Sequence, residues 1–203
     1  MSHPAPPASP AGAHAAVTWA DPARQAAFDA WLAPLAAAHG LLPASLRPSS
    51  SDASFRRYLR LDTAAPGRSC VVMDAPPDKE DCRPFVQVQA LMQQAGLNVP
   101  QILAWDAAHG FMLLSDLGPH TLMQALDPAA PQKAHPWYLQ AIDLLVDWQK
   151  ASRPGVLPPY DQALLQRELA LFPDWYLAQH RKVTLTDAQQ QTLAQSFAAI
   201  VAN

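Results

Sequence analysis

Hydrophobic and polar positions change their spacing along the chain, and this change predicts the elements of the structure. The first apolar set has helical spacing and consists of Phe28, Trp31, Leu32 and Leu35. Asp21 and Pro22 are residue types that begin a helix, and Gly40 is one that ends it. Because Pro34 lies between them, we expect the regular helix to kink or end there.

Alternating apolar residues then replace the helical spacing and predict an antiparallel sheet. The predicted strands cover residues 54–62, 70–73, 99–105 and 110–117. A helix separates the two strand pairs, with Asp81 at its beginning and Gly96 at its end. The predicted order is therefore helix, strand, strand, helix, strand, strand.

Helical spacing alone follows Gly118. A short helix at 121–126 and a linker at 128–136 precede three longer helices, which begin at Pro136, Asp161 and Thr186; a kink is expected at Pro173. A small antiparallel sheet with one helix, followed by helices, is the order of a kinase-like bilobal α+β fold. We expect a disordered tail over residues 1–20, a first lobe over 21–118 and an incomplete helical second lobe over 119–203.

Composition excludes several classes of protein. No apolar run approaches the ~18–20 residues of a bilayer span, and residues 1–17 carry neither the charge nor the apolar core of a secretory signal. The net charge of −3 and pI near 6.1 disfavour nucleic-acid binding. Cys70 and Cys82 have no metal-ligand spacing, so we expect free thiols in a reducing cytoplasm.

Five segments together resemble the aminoglycoside phosphotransferase (APH) superfamily. They are 51–58 (SDASFRRY), 72–77 (VMDAPP), 81–85 (DCRPF), 110–118 (GFMLLSDLG) and 167–177 (RELALFPDWYL). The resemblance covers roughly residues 25–203 and is closer still to the cell-wall sugar branch, the anomeric N-acetylmuramate/N-acetylglucosamine kinases. It implies a protein-kinase-like fold, with ATP and Mg²⁺ as cofactors and an amino sugar as phosphate acceptor.

The serine-rich segment 49–57 is the candidate phosphate-binding loop. Hydroxyls, backbone N–H groups and positive charge suit a phosphate, and the segment supplies them without glycine. The candidate nucleotide-binding residues here are Ser51, Asp52, Ser54, Phe55, Arg56 and Arg57. An ordinary serine-rich loop with solvated arginines is the alternative interpretation.

Two further positions extend the predicted nucleotide site. Asp116, Leu117 and Gly118 follow a buried strand at the place of a kinase hinge, where backbone groups bind adenine; a strand-ending turn is the alternative. Asp74 occupies the place of the strand lysine of protein kinases, and the following helix has no glutamate to form the Lys–Glu ion pair. The sugar-kinase branch resembles this chain in its Met-Asp-Ala-Pro-Pro segment.

The predicted substrate-binding residues are Glu168 and Trp175, which share a helical face with Phe172 at i, i+4, i+7 spacing. Aromatic rings stack on apolar sugar faces and carboxylates accept sugar hydroxyls, although a core stripe would show the same spacing. Four histidines have no metal or triad spacing: His109, His120, His135 and His180.

The catalytic segments of the family are not found in these 203 residues. Phosphoryl transfer in this fold uses a His-Arg-Asp…Asn loop and an Asp-Phe-Gln-Asp-Ala segment, and the sequence contains neither. We therefore expect no catalytic residue and no metal ligand in this chain. An amino-terminal portion of a sugar kinase and an inactive, truncated or nucleotide-binding remnant both remain open.

Overall fold

A computed structural model describes residues 16–51 and 54–202. In chain order the elements are α1 (Pro22–His39), β1 (Arg47–Ser51), β2 (Arg57–Asp62), β3 (Ser69–Asp74), α2 (Arg83–Gln94), β4 (Ile102–Asp106), β5 (Phe111–Ser115), α3 (Leu122–Ala125), α4 (His135–Ala151), α5 (Gln162–Leu171), a π-helix (Phe172–His180) and α6 (Asp187–Val201). Short 3₁₀ turns cover Pro43–Ser45 and Pro131–Ala134. The predicted α+β class is confirmed.

The first helix has the termini that the sequence predicts. The Asp21 carboxylate accepts the Ala23 N–H at 2.8 Å, Pro22 is the first helical residue, and Gly40 ends the helix with φ of 62°. The helix does not end at Pro34, since it continues through this residue to His39, and the alternative of a kink there stays a prediction.

Part of the predicted tail contributes to the core. Residues 1–15 lie outside the described residues, but Val17 and Trp19 pack against the core, and the Trp19 ring lies 4.9 Å from that of Phe28. The disorder predicted for the tail therefore does not hold at Val17 and Trp19, because a tryptophan in a segment rich in small residues can pack against the core.

All five strands pair antiparallel, in the order β1-β2-β3-β5-β4. β1 is absent from the predicted order because its sequence, Arg-Pro-Ser-Ser-Ser, has no apolar alternation. A polar strand containing proline is suited to a sheet edge, where one side of the backbone needs no partner. β1 therefore includes Ser49, Ser50 and Ser51, and the strand predicted from residue 54 begins at Arg57.

The two central strands, β3 and β5, separate two apolar clusters. One contains Phe28 and Leu32 of α1, Leu59, Leu61, Val72, Phe111 and Leu113; the other contains Met73, Ala75, Cys82, Met112 and Leu114. Because both faces of β5 are covered, its residues 111–114 are all buried and form a continuous apolar run rather than an alternating one.

The segments around α2 and β5 show how local signals fix the chain. Asp81, predicted to begin α2, accepts the Arg83 N–H at 2.9 Å, while Cys82 occupies the N-cap position. Gly110 precedes β5 with φ of 71°, and a Cβ there would lie 1.9 Å from the Ala75 carbonyl oxygen. Only glycine fits this turn.

The helices after Gly118 agree with the predicted positions, except in their second long member. The single helix predicted from Asp161 changes to a π-helix at Phe172, beside Pro173, which has no N–H for the preceding turn. By backbone contacts the chain divides into two compact units, up to Ala151 and from Ser152. The functional boundary at residue 118 stays a prediction. No helix among the described residues is long and apolar enough to cross a membrane.

Candidate functional site

The loop between β1 and β2 is held by Glu80, a residue that the sequence analysis does not select. Glu80 Oε1 accepts the Phe55 N–H at 3.0 Å, and Oε2 accepts Arg56 Nε at 3.0 Å. Ser54 Oγ accepts the Arg56 N–H at 3.1 Å. Ser51 ends β1, and Asp52 lies outside the described residues. Two of the predicted loop residues, Phe55 and Arg56, therefore donate hydrogen bonds to the Glu80 carboxylate.

Arg56 is charged under all ordinary conditions. Its partial burial opposes the charge, but hydrogen bonds and charge attraction to Glu80 and Tyr58 outweigh that penalty and raise the pKa of the guanidinium. The neighbouring Lys79 Nζ lies 4.9 Å from the Phe55 ring centre. This lysine forms no ion pair with a carboxylate of the described residues.

Asp74 is the buried charge of the sheet and binds two arginines. Its side chain is 2% exposed; Oδ2 accepts Arg57 Nε at 2.5 Å, and Oδ1 accepts both Nε and Nη2 of Arg24. Arg24 comes from α1, and Arg57 is the first residue of β2. Asp74 and Arg57 therefore meet, as predicted for one site, but they bind each other and α1. Their contact with nucleotide stays a prediction.

The second half of the Arg57 guanidinium faces the amino-terminal segment. Nη1 donates to the Thr18 carbonyl at 2.8 Å, and the guanidinium carbon lies 3.9 Å above the Trp19 ring. Arg24 similarly lies over the Phe111 ring at 4.6 Å and donates to the His109 carbonyl at 3.0 Å. The two arginines therefore connect α1, and the segment that precedes it, to the sheet.

Asp116 organises the segment that leaves the sheet. Its carboxylate accepts Arg60 Nε at 2.6 Å, Ser69 Oγ at 2.6 Å and the Gly118 N–H at 2.9 Å. Arg60 Nη2 also donates to the Gly118 carbonyl at 2.9 Å. Burial opposes the charge of Asp116, but the hydrogen bonds from Ser69, Gly118 and Arg60 outweigh it and lower the pKa of the carboxyl.

Leu117 is exposed between these two clamped neighbours. Neither its backbone N–H nor its C=O is hydrogen-bonded by any of the described residues. A free backbone N–H and a free backbone C=O can both hydrogen-bond to the edge of a planar heterocycle, because such an edge offers an acceptor and a donor side by side. Binding of adenine at the predicted hinge residues, Asp116, Leu117 and Gly118, stays a prediction.

The predicted sugar-binding residues lie where the helix geometry changes. Glu168 is on α5, whereas Trp175 and Tyr176 are in the π-helix. The shared face assumed α-helical spacing, which ends at Leu171. The rings that stack are instead Phe172 on Tyr176, at 5.6 Å, and Tyr176 on His180. Phe172, Trp175 and Tyr176 are all about half exposed or more, and the role of Glu168 and Trp175 stays a prediction.

Neither the histidines nor the carboxylates form a metal site in the part of the chain that the structure describes. His109 Nδ1 lies 2.7 Å from Asp106 Oδ2 and its ring stacks on Phe111. Burial of Asp106 opposes its charge, but the contact with His109 outweighs it and lowers the pKa of Asp106. These contacts fix the orientation of the His109 ring.

Sequence reasoning misses Arg24, Arg60, Ser69 and Glu80. Each acts on a partner 24 to 56 residues away along the chain, so no short motif contains both members of a pair. The available signal for Arg60 is its place on the polar face of a strand whose other face is apolar. Glu80 lies in a charged run that precedes a helix, which is the pattern of an ordinary solvated turn.

Comparison with known proteins identifies a family. Residues 45–203 match the model of the phosphotransferase enzyme family, APH. Proteins named N-acetylmuramate/N-acetylglucosamine kinase are similar to this chain in Pseudomonas aeruginosa (54% identical over 152 residues, 75% of this chain and 43% of the relative), Pseudomonas putida (46% over 156 residues, 76% and 44%) and Neisseria meningitidis serogroup B (44% over 149 residues, 73% and 44%).

The family match and the α+β architecture agree with the kinase-like fold of the phosphotransferase enzyme family. The chain belongs to the APH phosphotransferase enzyme family, as the resemblance in its sequence predicts. It spans less than half the length of the curated relatives that it matches.

Proposed function

We propose that these residues form the nucleotide-binding part of an ATP-dependent kinase that phosphorylates cell-wall amino sugars. The names of the three relatives support N-acetylmuramate and N-acetylglucosamine as acceptors, and the family supports ATP as donor. The corresponding cellular role is the recycling of peptidoglycan sugars in the cytoplasm. Small molecules, rather than nucleic acids or membranes, are the proposed partners.

The observation that carries this proposal is the clamped segment Asp116–Leu117–Gly118. Arg60 and Ser69 fix Asp116 and Gly118, so the exposed Leu117 backbone presents its N–H and C=O without further ordering. A preformed site binds with less loss of conformational entropy than one that orders on binding. Adenine offers the acceptor and donor that would satisfy both groups.

The remaining predicted residues have supporting roles in the proposal. Residues Ser54, Phe55 and Arg56 directly precede β2, at the end of the strand opposite to Asp62, and would face the phosphates. Glu168 and Trp175 would bind the sugar. Magnesium accompanies ATP in this family, but the described residues do not fit a metal site, because no three carboxylate, histidine or cysteine side chains converge.

Phosphate transfer itself needs groups that this sequence does not contain. The acceptor hydroxyl requires an orienting Asp, and the His-Arg-Asp…Asn segment that would supply it is not among the 203 residues. We therefore propose that these residues alone bind nucleotide but do not transfer phosphate. Loss of general-base help typically costs about 10²–10⁴-fold in rate.

A nucleotide-binding remnant without any catalytic role is the second candidate. It is compatible with the absence of the His-Arg-Asp…Asn segment from these 203 residues. The DNA beyond codon 203 separates the two candidates. A coding stretch for His-Arg-Asp in the same frame supports the kinase, whereas a frameshifted stretch indicates a broken kinase gene and supports the remnant.

The binding proposal is tested by calorimetry with ATP. We expect a Kd in the high micromolar to millimolar range, about −4 to −6 kcal/mol. Leu117→Pro removes the backbone N–H and should abolish measurable binding, whereas the matched control Leu117→Ala keeps the N–H and should bind as wild type does. Circular dichroism checks that both variants fold. Equal ATP binding by both variants would contradict the hinge assignment.

The activity proposal is tested separately by phosphate transfer from ATP to N-acetylmuramate. The 203-residue chain should give no rate above the blank without enzyme. A rate that is abolished by a chelator would overturn this expectation.

A further inference from the structure

The segment between β3 and α2 presents one nearly buried carboxylate to the β1–β2 loop. The Pro76 carbonyl accepts the N–H groups of both Lys79 and Glu80 at 2.9 Å, which closes a tight turn. Proline restricts the backbone at the start of this turn. The turn therefore fixes Glu80, whose side chain is only 11% exposed.

Glu80 uses its two oxygens on consecutive residues of the loop. One oxygen holds the Phe55 backbone N–H and the other holds the Arg56 guanidinium, each at 3.0 Å. Hydrogen bonds to a carboxylate are stronger than those between neutral groups, and two of them fix both position and orientation. A backbone contact and a side-chain contact at neighbouring residues fix Phe55 and Arg56 relative to each other.

This arrangement changes the interpretation of Arg56. Its Nε is bound to Glu80 and its backbone N–H to Ser54 Oγ, so its charge is matched within the protein. Removal of Arg56 would leave the Glu80 carboxylate without its partner beside the loop. Such a carboxylate repels a polyphosphate, so loss of Arg56 weakens phosphate binding even without direct contact.

We propose that Glu80 is a positioning residue that holds Ser54, Phe55 and Arg56 in the conformation that receives the nucleotide phosphates. It acts through Phe55 and Arg56 and does not itself touch the nucleotide. This inference rests on the proposed function and adds a residue outside the segments that carry it.

The first test measures the loop without nucleotide. In Glu80→Gln the backbone amide of Phe55 should exchange with deuterium roughly tenfold faster, because a charged acceptor is lost. Asp78→Asn is the matched control, since it removes the same charge from an exposed position of the same turn and should leave exchange unchanged. Unchanged exchange in Glu80→Gln would overturn the inference.

The second test measures ATP binding by calorimetry on wild type, Glu80→Gln, Asp78→Asn, Arg56→Gln and the double variant of Glu80 and Arg56. We expect Glu80→Gln to raise Kd roughly threefold to tenfold and Asp78→Asn to leave it within twofold. The two single changes should not add in the double variant, because both break one contact. Additive losses would show that Glu80 and Arg56 act independently on ATP binding and would contradict the inference.

The two proposals fail in different ways. If wild type binds ATP and Glu80→Gln binds it equally well despite faster exchange, the positioning role is wrong while the hinge proposal stands. If wild type shows no saturable binding, the proposed function is overturned and the inference falls with it.

Discussion

The sheet region, residues 22–115, and the helices from residue 135 onward bury their apolar residues very differently. The nine largest fully buried side chains all lie between Phe28 and Leu113. In contrast, α4, α5 and α6 have no buried residue, and Ile142 and Leu145 of α4 are more than half exposed. Apolar residues occur all round α4, as in helices that are buried on every side.

This difference shows that helix formation and core formation have separate causes. α6 has a capping box in which Thr186 and Gln189 bind each other's backbone N–H groups, so local contacts stabilise its beginning. Such contacts contribute about 1 kcal/mol each, whereas burial of one large apolar side chain contributes about 1.5–3 kcal/mol. The sheet region has both contributions, whereas the apolar residues of α5 and α6, such as Leu165 and Phe197, are at most partly buried.

The largest expected effect is at Gly110. Gly110→Ala would place a Cβ 1.9 Å from the Ala75 carbonyl oxygen, so β3 and β5 must separate; we expect more than about 4 kcal/mol of destabilisation. Gly67→Ala is the matched control, because Gly67 also has φ of 71° but open space around it, and should cost about 1 kcal/mol. Denaturant unfolding measures both, and equal losses would show that backbone strain alone accounts for Gly110.

The buried ion cluster gives the next effect. Asp74→Ala leaves Arg24 and Arg57 without their carboxylate and should destabilise the fold by about 3–5 kcal/mol. Asp147→Ala in α4 removes an exposed pair with Lys150 and should change stability by less than about 0.5 kcal/mol. Thermal unfolding measures both variants. A small effect of Asp74→Ala would show that the buried ion cluster does not stabilise the fold.

A pair of apolar truncations compares the two regions directly. Leu61 is fully buried, so Leu61→Ala should cost about 2–5 kcal/mol. Ile142 is 54% exposed, and Ile142→Ala should stay within about 0.5 kcal/mol of wild type. A comparable loss at Ile142, measured by denaturant unfolding of the monomer, would reveal that α4 is buried in solution.

The smallest effect concerns pH at the hinge segment. Because the pKa of Asp116 is lowered in the fold, its stabilising contribution is complete above about pH 4 and is lost as pH falls through the folded pKa. Asp116→Asn should therefore cost about 1–2 kcal/mol at pH 7, with a gap to wild type that narrows below about pH 4. Unfolding at several pH values tests this, with Asp143→Asn of α4 as a control that keeps the wild-type profile.

Local sequence signals predict the elements whose causes are local. Asp21 and Gly40 bound α1 because capping needs only neighbouring backbone groups, and the hairpin of β2 and β3 follows from alternation around the turn near Gly67. β1 is not predicted because the extended conformation of its polar residues comes from pairing with β2. The π-helix likewise depends on hydrogen-bond spacing that apolar periodicity does not encode.

The candidate site divides in the same way. The sequence selects Asp74, Arg56, Arg57 and Asp116 by residue type and motif, and the structure places each in a charged cluster. The sequence does not indicate which residues neutralise these charges, because Arg24 and Asp74 are 50 residues apart and Arg60 and Asp116 are 56 apart. Long-range pairing therefore decides which charges remain available to a ligand.

Hydrogen exchange of the full 203-residue chain, with its mass in solution measured in parallel, tests the central contrast most directly. We expect slow exchange in β2, β3 and β5, whose backbones are paired on both sides, and fast exchange or self-association through α4 and α6. Uniformly strong protection across both regions of a monomer would contradict this account, because it would show that the helices have a complete core of their own.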